Sequence, residues 1–192
     1  MIAIIKYNAG NIRSVQNALS RLGYQSIITD NRDEILGASK VIFPGVGEAS
    51  SAMRYLKDKG LDSLILSLQQ PVLGICLGLQ LMCSYSEEGD TECMKIFDSA
   101  VRLFPQVDKV PHIGWNNFFS LKGNLFKGVS IQDDVYYVHS YYPEISTCTI
   151  AACDYILPFS AAMQKDNFYA TQFHPEKSAA AGEKILRNFL EL

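Results

Sequence analysis

The stretch Pro71-Val72-Leu73-Gly74-Ile75-Cys76-Leu77-Gly78-Leu79-Gln80 constrains this chain more than any other. An apolar run long enough for one buried strand ends at Gly-x-Cys-x-Gly, and a helical pattern follows. Glycines two residues to either side of a central residue allow a sharp strand-to-helix turn that lifts its side chain clear of the sheet, the mechanics of the Gly-x-Ser-x-Gly elbow. A cysteine there lies at a helix N-terminus, whose dipole favours the thiolate. The N–H of Leu77, next in line, is placed to face an oxyanion. Free cysteine is otherwise among the most buried residue types, so a core cysteine after a parallel strand is the plain alternative. The two flanking glycines favour Cys76 as a covalent nucleophile.

A nucleophilic cysteine needs a base, usually oriented by a third group. The chain has three histidines, His112, His139 and His174. The aromatic, alternating run Tyr169–Phe173 reads as a strand, and Pro175 stops its ladder. His174 therefore lies at a strand end, where functional groups of open α/β sheets gather. Glu176 follows two residues on, and in an extended segment both side chains project to one side. A carboxylate beside an imidazole fixes its tautomer and stabilises the imidazolium. His139 is the rival base. It closes the strand-like run Val135–His139 but has no acid within two residues, so it reads as a pocket-wall residue. His112 follows Pro111 in a loop and ranks last.

The first half of the chain alternates strand and helix. Ile2–Tyr7, Gln25–Thr29, Lys40–Pro44 and Val72–Ile75 read as strands. Asn11 can cap a helix with the apolar stripe Ile12, Val15, Leu19 and Leu22, ended by Gly23. Ser50–Lys59 and Leu77–Ser84 read as further helices. This repetition predicts a mostly parallel sheet with helices on both faces. The middle is more antiparallel in character, with short runs at Val101–Phe104, Asn117–Leu121, Val135–His139, Thr149–Cys153 and Ala161–Gln164. Glu183–Glu191 is an amphipathic helix that packs on the sheet.

At 192 residues the chain suits one domain, 1–192, with a sizeable core. A net charge of −3 and the lack of a Lys/Arg cluster leave no footprint for nucleic acid. No segment approaches the ~20 apolar residues of a membrane span, and Ile2–Ile5 is too short for a signal sequence. Five cysteines without a Cys-x-x-Cys pair predict a reducing compartment, the cytoplasm. Cys83, two helical turns after Cys76, reads as packed, and Cys93, Cys148 and Cys153 as structural. The lack of a His-Glu-x-x-His or Cys/His cluster predicts no metal, and no cofactor is expected. Gly45-Val46-Gly47 lacks the third glycine of a dinucleotide loop and the Gly-Lys-Ser/Thr of a phosphate loop. By spacing it is a tight turn after a strand.

Taken together, Gly74–Gln80 and His174-Pro175-Glu176 resemble the class I (triad) glutamine amidotransferases, a family of flavodoxin-like α/β fold. Pro44–Glu48, Val110–Asn116 and His139-Ser140-Tyr141 narrow the resemblance to the glutaminase subunits of histidine biosynthesis. The likeness runs from Ile2 to the C-terminus. It implies that glutamine is hydrolysed to glutamate and ammonia through a thioester on Cys76, with His174 as base and then acid and Glu176 orienting it. It further implies that Gly45, Val46 and Gly47 form a strand whose amide completes an oxyanion hole with Leu77. Gln80, Glu88 and the backbone of His139, Ser140 and Tyr141 would hold glutamine. Asn11, Trp115, Tyr136 and Lys177 would face a partner, a cyclase subunit of (β/α)8-barrel fold. One departure is visible: Lys6-Tyr7-Asn8 stands where the family often has Asp-Tyr-Gly. Two other readings compete. One is a stand-alone Cys-dependent amidase or the glutaminase of another synthase, sugar-amidinating or anthranilate-type. The other is a flavodoxin-like binding module with an inactive elbow.

Overall fold

Alternation with a period of two decides the architecture of the first half. Ile2 and Ile4 are buried in one apolar cluster and Ala3 and Ile5 in another, and Ile42 is separated in the same way from Val41 and Phe43. Strands apolar on both faces must be covered on both, and the chain supplies a helix after each early strand.

The computed structural model describes residues 1–8, 10 and 12–192. Its strands are β1 (Ile2–Ile5), β2 (Ser26–Thr29), β3 (Lys40–Gly45), β4 (Val72–Cys76), β5 (Tyr85–Ser86), β6 (Thr91–Glu92), β7 (Ala100–Leu103), β8 (His112–Asn116), β9 (Ser120–Leu121), β10 (Val135–His139), β11 (Tyr141–Pro143), β12 (Thr149–Tyr155), β13 (Leu157–Lys165) and β14 (Phe168–Thr171). The helices are α1 (Ile12–Arg21), α2 (Arg32–Leu36), α3 (Ala49–Asp58), α4 (Leu61–Leu66), α5 (Leu77–Met82) and α6 (Ala179–Leu190), with 3-10 turns at Asn124–Phe126 and Pro175–Lys177.

The main sheet runs β2-β1-β3-β4-β14-β13-β12-β9. Its first five strands are parallel, and β13, β12 and β9 continue it antiparallel. The antiparallel portion is thus largely an extension of the same sheet. Beside it stand the pair β10-β8 and the small sheet β11-β7-β5-β6. Helices α1 and α6 bury Val15, Leu19, Ile185, Leu186 and Phe189 on one face. Helices α2 to α5 bury Ile35, Met53, Leu56, Leu64 and Leu79 on the other. Each such side chain contributes about 1.5–3 kcal/mol of burial, so the two layers hold β4, the carrier of Cys76, at the centre of the fold.

Three expectations are corrected. The first strand stops at Ile5 rather than Tyr7, because Lys6 is exposed and Tyr7 turns inward to pack its ring on Phe43 at 5.2 Å. Asn117–Leu121 is strand only at Ser120–Leu121. His112 lies in a strand, not a loop: β8 pairs antiparallel with β10, setting His112 opposite His139 and Trp115 opposite Tyr136. Asn11, read as a helix cap, lies outside the described residues. The short helices α2 and α4 span little more than a turn, too little for periodicity to declare them. The cap of α2 is nonetheless written locally, as Asn31 Oδ1 accepts from the N–H groups of Asp33 and Glu34 at 2.9 and 3.1 Å.

Helix α5 crosses the strands at unusually short range. A Cβ added at Gly78 would lie 2.0 Å from the Phe43 carbonyl oxygen of β3, a backbone atom that cannot swing aside. Gly78→Ala should therefore destabilise the fold by about 3 kcal/mol, the upper part of the overpacking range. The check is a urea unfolding midpoint, and an unchanged midpoint would show that α5 has room to shift.

Candidate active site

Strand β4 ends in a backbone conformation that few side chains tolerate. Cys76 has φ 54° and ψ −109° and sits just before the first residue of α5. Gly74 and Gly78 do not share that strain; their φ angles are ordinary, and what they supply is proximity. A Cβ on Gly74 would meet the Gly78 backbone at 3.1 Å. The strain falls on the cysteine, and the glycines permit the close crossing that maintains it. Leu77 opens α5, so its N–H has no acceptor within the helix. On the adjacent strand, Gly45 is the register partner of Cys76. The space a Gly45 Cβ would take is filled by the Tyr7 hydroxyl, 2.1 Å from that point. This is the structural context of the Lys6-Tyr7-Asn8 departure: Tyr7 is buried against the elbow, whereas Lys6 and Asn8 face out.

His174 and Glu176 meet as the sequence implies, but by a different local geometry. His174 leaves β14 extended and Glu176 lies in the 3-10 turn Pro175–Lys177. Within that turn the His174 Nδ1 contacts Glu176 Oε1 at 2.8 Å, with both side chains almost fully buried. Burial alone pushes the His174 ring towards neutrality. The charge of Cys76, with the hydrogen bond and charge of Glu176, outweighs it, so the ring is raised from 6.5 to about 10. The turn is anchored twice. Tyr136 of β10 accepts the His174 N–H at 2.9 Å and gives its own N–H to Ser178 Oγ at 2.9 Å, and that hydroxyl donates to the His174 carbonyl at 2.6 Å. Helix α6 closes on the turn so tightly that a Cβ at Gly182 would stand 1.9 Å from the Pro175 carbonyl oxygen.

A cavity of about 330 Å³ opens over Cys76. It is lined by Val46, Gly47, Leu77, Gln80, Glu88, His139, Ser140 and Tyr141, together with Pro111 and Val138. Of the predicted pocket set only Gly45 is absent from the lining; it is buried beneath, beside Cys76. The volume is at the small end for ligand pockets and fits a free amino acid better than a peptide. A larger open depression of about 800 Å³ around Lys6, Arg13 and Gln16 contains no member of the triad. In the cavity wall Glu88 is half-buried, its Oε2 accepting the Ala49 N–H at 2.8 Å, and burial raises its carboxyl above the ordinary value. Gln80 is buried and donates through Nε2 to the Tyr141 carbonyl and to Gln172 Oε1, both at 3.0 Å.

Gln172 is a residue the sequence reading passed over. It is fully buried and its Nε2 points a donor at the Cys76 sulfur, 3.7 Å away. Its one advance signal is a polar residue at the buried end of an aromatic strand. His139, the rival base, is disqualified by its contacts. Its Nδ1 is held by the Tyr141 carbonyl at 2.8 Å and its Nε2 by His112 Nδ1 at 3.1 Å. Burial depresses its pKa to about 3 and that of His112 to about 4.

Of the residues predicted to face a partner, Asn11 lies outside the described residues, and the other three form one patch. Trp115 is 53% exposed, with its ring 5.9 Å from that of Tyr136. The Lys177 ammonium lies 5.8 Å from the Tyr136 ring centroid. Ile113, 60% exposed, extends the patch along β8. Among the described residues no group of three or more His, Cys, Asp or Glu is arranged to hold a metal, and no helix is long and apolar enough to cross a membrane.

A strained cysteine at a helix start, a buried imidazole–carboxylate pair coupled to it, and an amino-acid-sized cavity can perform acyl transfer through a thioester. The class I glutamine amidotransferase family model matches residues 3–192, and the chain belongs to that family. Among curated proteins it is 59% identical to the imidazole glycerol phosphate synthase subunit HisH of Bacteroides fragilis, covering 100% of this chain and 99% of that one. It is 47% identical to the protein of the same name from Pasteurella multocida, covering 99% and 97%. Solved structures share the fold at lower identity. A glutamine amidotransferase superposes with TM-score 0.72 at 16% identity, covering 100% of this chain and 98% of that one. PurLQS of Thermotoga maritima gives 0.72 at 14%, covering 99% and 97%.

The raised pKa of His174 has a consequence for stability. Its folded value of about 10 exceeds the ordinary 6.5, so the folded state binds the proton more tightly. The resulting stabilisation is fully present below about pH 6.5 and is lost as pH rises through about 10. The difference in unfolding free energy between the natural protein and His174→Gln should therefore narrow steadily from neutral pH to pH 10. Denaturant titrations across that range measure it, and a constant or widening difference would mean that the ring is neutral in the folded state.

Proposed function

We propose that this chain is the glutaminase subunit of an imidazole glycerol phosphate synthase, hydrolysing glutamine and passing ammonia to a cyclase subunit of (β/α)8-barrel fold that forms imidazole glycerol phosphate in histidine biosynthesis. The observation that carries the reading is the full-length likeness to the HisH proteins, and the geometry at Cys76 supports its chemistry. The Cys76 thiolate attacks the glutamine γ-carboxamide carbon. The N–H groups of Leu77 and Val46 take the oxyanion. His174, held by Glu176, gives its proton to the departing nitrogen, which leaves as ammonia. His174 then takes a proton from water, which attacks the thioester and releases glutamate. Gln80, Glu88 and the backbone of His139–Tyr141 hold the amino-acid end of the substrate, with Gly45 and Gly47 shaping the oxyanion strand. The work belongs in the cytoplasm, in line with five cysteines that form no disulfide.

Ammonia in neutral water is mostly ammonium, which is not nucleophilic. A glutaminase that feeds a synthase must deliver NH₃ along a dry path and stay idle when no acceptor is bound. In this reading the patch of Trp115, Tyr136 and Lys177 docks the cyclase. The route inward is short, since Tyr136 is hydrogen-bonded to both His174 and Ser178. At rest the Pro44–Gly47 strand does not present its amide. Lack of one oxyanion donor costs about 3–4 kcal/mol, which holds turnover down by roughly two to three orders of magnitude.

Glutamate release is to be compared for the isolated chain, for the chain with its cyclase, and for that complex with the cyclase's acceptor bound. The rate is expected to rise at each step; three equal rates would leave a stand-alone amidase. In the full complex Cys76→Ala should abolish hydrolysis while leaving docking intact. His174→Ala should lose roughly a hundredfold or more, and Glu176→Gln less, because it orients a proton donor rather than transferring the proton. An inert His174 would remove it from the mechanism.

A further inference from the structure

Strand β8 and the nucleophile are joined by an unbroken chain of polar contacts. Asn116 Nδ2 approaches His112 Nε2 at 3.5 Å while also donating to the Asp154 carbonyl at 3.1 Å. His112 Nδ1 meets His139 Nε2 at 3.1 Å, and His139 Nδ1 meets the Tyr141 carbonyl at 2.8 Å. That carbonyl also accepts from Gln80 Nε2 at 3.0 Å. Gln80 in turn donates to Gln172 Oε1 at 3.0 Å, and Gln172 donates to Cys76 Sγ at 3.7 Å.

The direction of every link follows from its end points. A carbonyl only accepts, so His139 must carry its proton on Nδ1. In the neutral ring Nε2 is then an acceptor, which requires His112 to donate from its own Nδ1 and leaves His112 Nε2 as acceptor for Asn116. Both imidazoles are thereby locked as Nδ1–H tautomers. His112 has little freedom to leave this register. It is 4% exposed and stacked between Tyr155, with ring centroids 3.9 Å apart, and Tyr137, at 4.8 Å. Asn116 is the next residue after the exposed Trp115 on the same strand.

We propose that His112 is a positioning residue for glutamine binding: by donating to His139 Nε2 it holds that ring on the Tyr141 carbonyl, and so sets the Gln80 side of the pocket from strand β8. The proposal rests on the glutaminase reading for its activity assay but not for its tautomer assay. A buried network with every direction fixed has one arrangement, and loss of one donor frees the ring beyond it to turn over. With the His112 donor gone, the buried Nε2 of His139 loses its partner and the ring is free to turn away from the Tyr141 oxygen, so that the carbonyl shared with Gln80 is no longer held.

Two variants separate positioning from packing. His112→Phe keeps the aromatic stack and removes the donor. His112→Asn gives up the stack but places an amide N–H close to where Nδ1–H stood. Long-range ¹H–¹⁵N correlation of the imidazole nitrogens reads the tautomers directly, with three histidines to assign. The expected spectrum of the natural protein shows His112 and His139 both as Nδ1–H, with the His139 Nε2 resonance losing its hydrogen-bond shift in the Phe variant and regaining it in the Asn variant. In the cyclase complex with acceptor bound, KM for glutamine should rise roughly five- to tenfold in the Phe variant, the scale of one lost hydrogen bond. kcat should change far less, and KM should recover in the Asn variant even though that variant melts lower. His139 found as Nε2–H in the natural protein would overturn the proposal. So would a KM that follows melting temperature and is worse for Asn than for Phe, since that is the signature of packing alone. If the natural complex hydrolysed no glutamine, the proposed function would fail while the tautomer spectrum still decided the role of His112.

Discussion

Holding Cys76 at φ 54° costs about 1–3 kcal/mol, and the packing around it keeps that conformation from relaxing. Helix α5 lies against β3 and β4 at a range that only glycine permits at positions 74 and 78. The Tyr7 hydroxyl fills the notch at Gly45, and buried strands on either side fix β4 in the sheet. The turn cannot flatten without lifting α5 off two strands. The same compression brings Cys76 and Leu77, the first residue of α5, to the wall of one small cavity. The proposed nucleophile and oxyanion donor are thus products of a single backbone constraint rather than separately placed parts.

Three buried histidines sit within this framework, and burial alone would make all of them neutral. His112 and His139 follow that rule, because their neighbours are carbonyl, amide and each other, and both are depressed to about 4 and about 3. His174 breaks it, because the charge of Cys76 acts on one side and the Glu176 carboxylate on the other, raising it to about 10. One residue type therefore takes two forms a short distance apart: a charged ring, the proposed proton carrier, and rigid neutral connectors in the pocket wall. The partner of each ring, not its degree of burial, settles which role it takes.

The parts of this site that are legible in the sequence are those encoded between near neighbours along the chain. The elbow is five consecutive residues, and His174 with Glu176 are two apart. The parallel half of the sheet was legible because its strands are apolar on both faces. What escaped reading depends on register across strands. His112 looks like a loop residue after proline until β8 pairs with β10 and sets it opposite His139. Gln172 and Ser178 look like ordinary polar residues until the sheet brings one under Cys76 and the 3-10 turn brings the other to Tyr136. Even the triad pair is legible only in outcome, since the contact is made inside a turn rather than along an extended segment.

The central claim is that one strained cysteine among five carries the reaction, and reactivity tests it most directly. The folded protein is to be incubated with a glutamine analogue bearing an electrophilic carbon in place of the γ-carboxamide, and the adduct located by peptide mass mapping. The account predicts a single adduct, on Cys76, that excess glutamine prevents and that His174→Ala slows. An adduct on Cys83, Cys93, Cys148 or Cys153, or glutamine hydrolysis that continues with Cys76 fully modified, would contradict it.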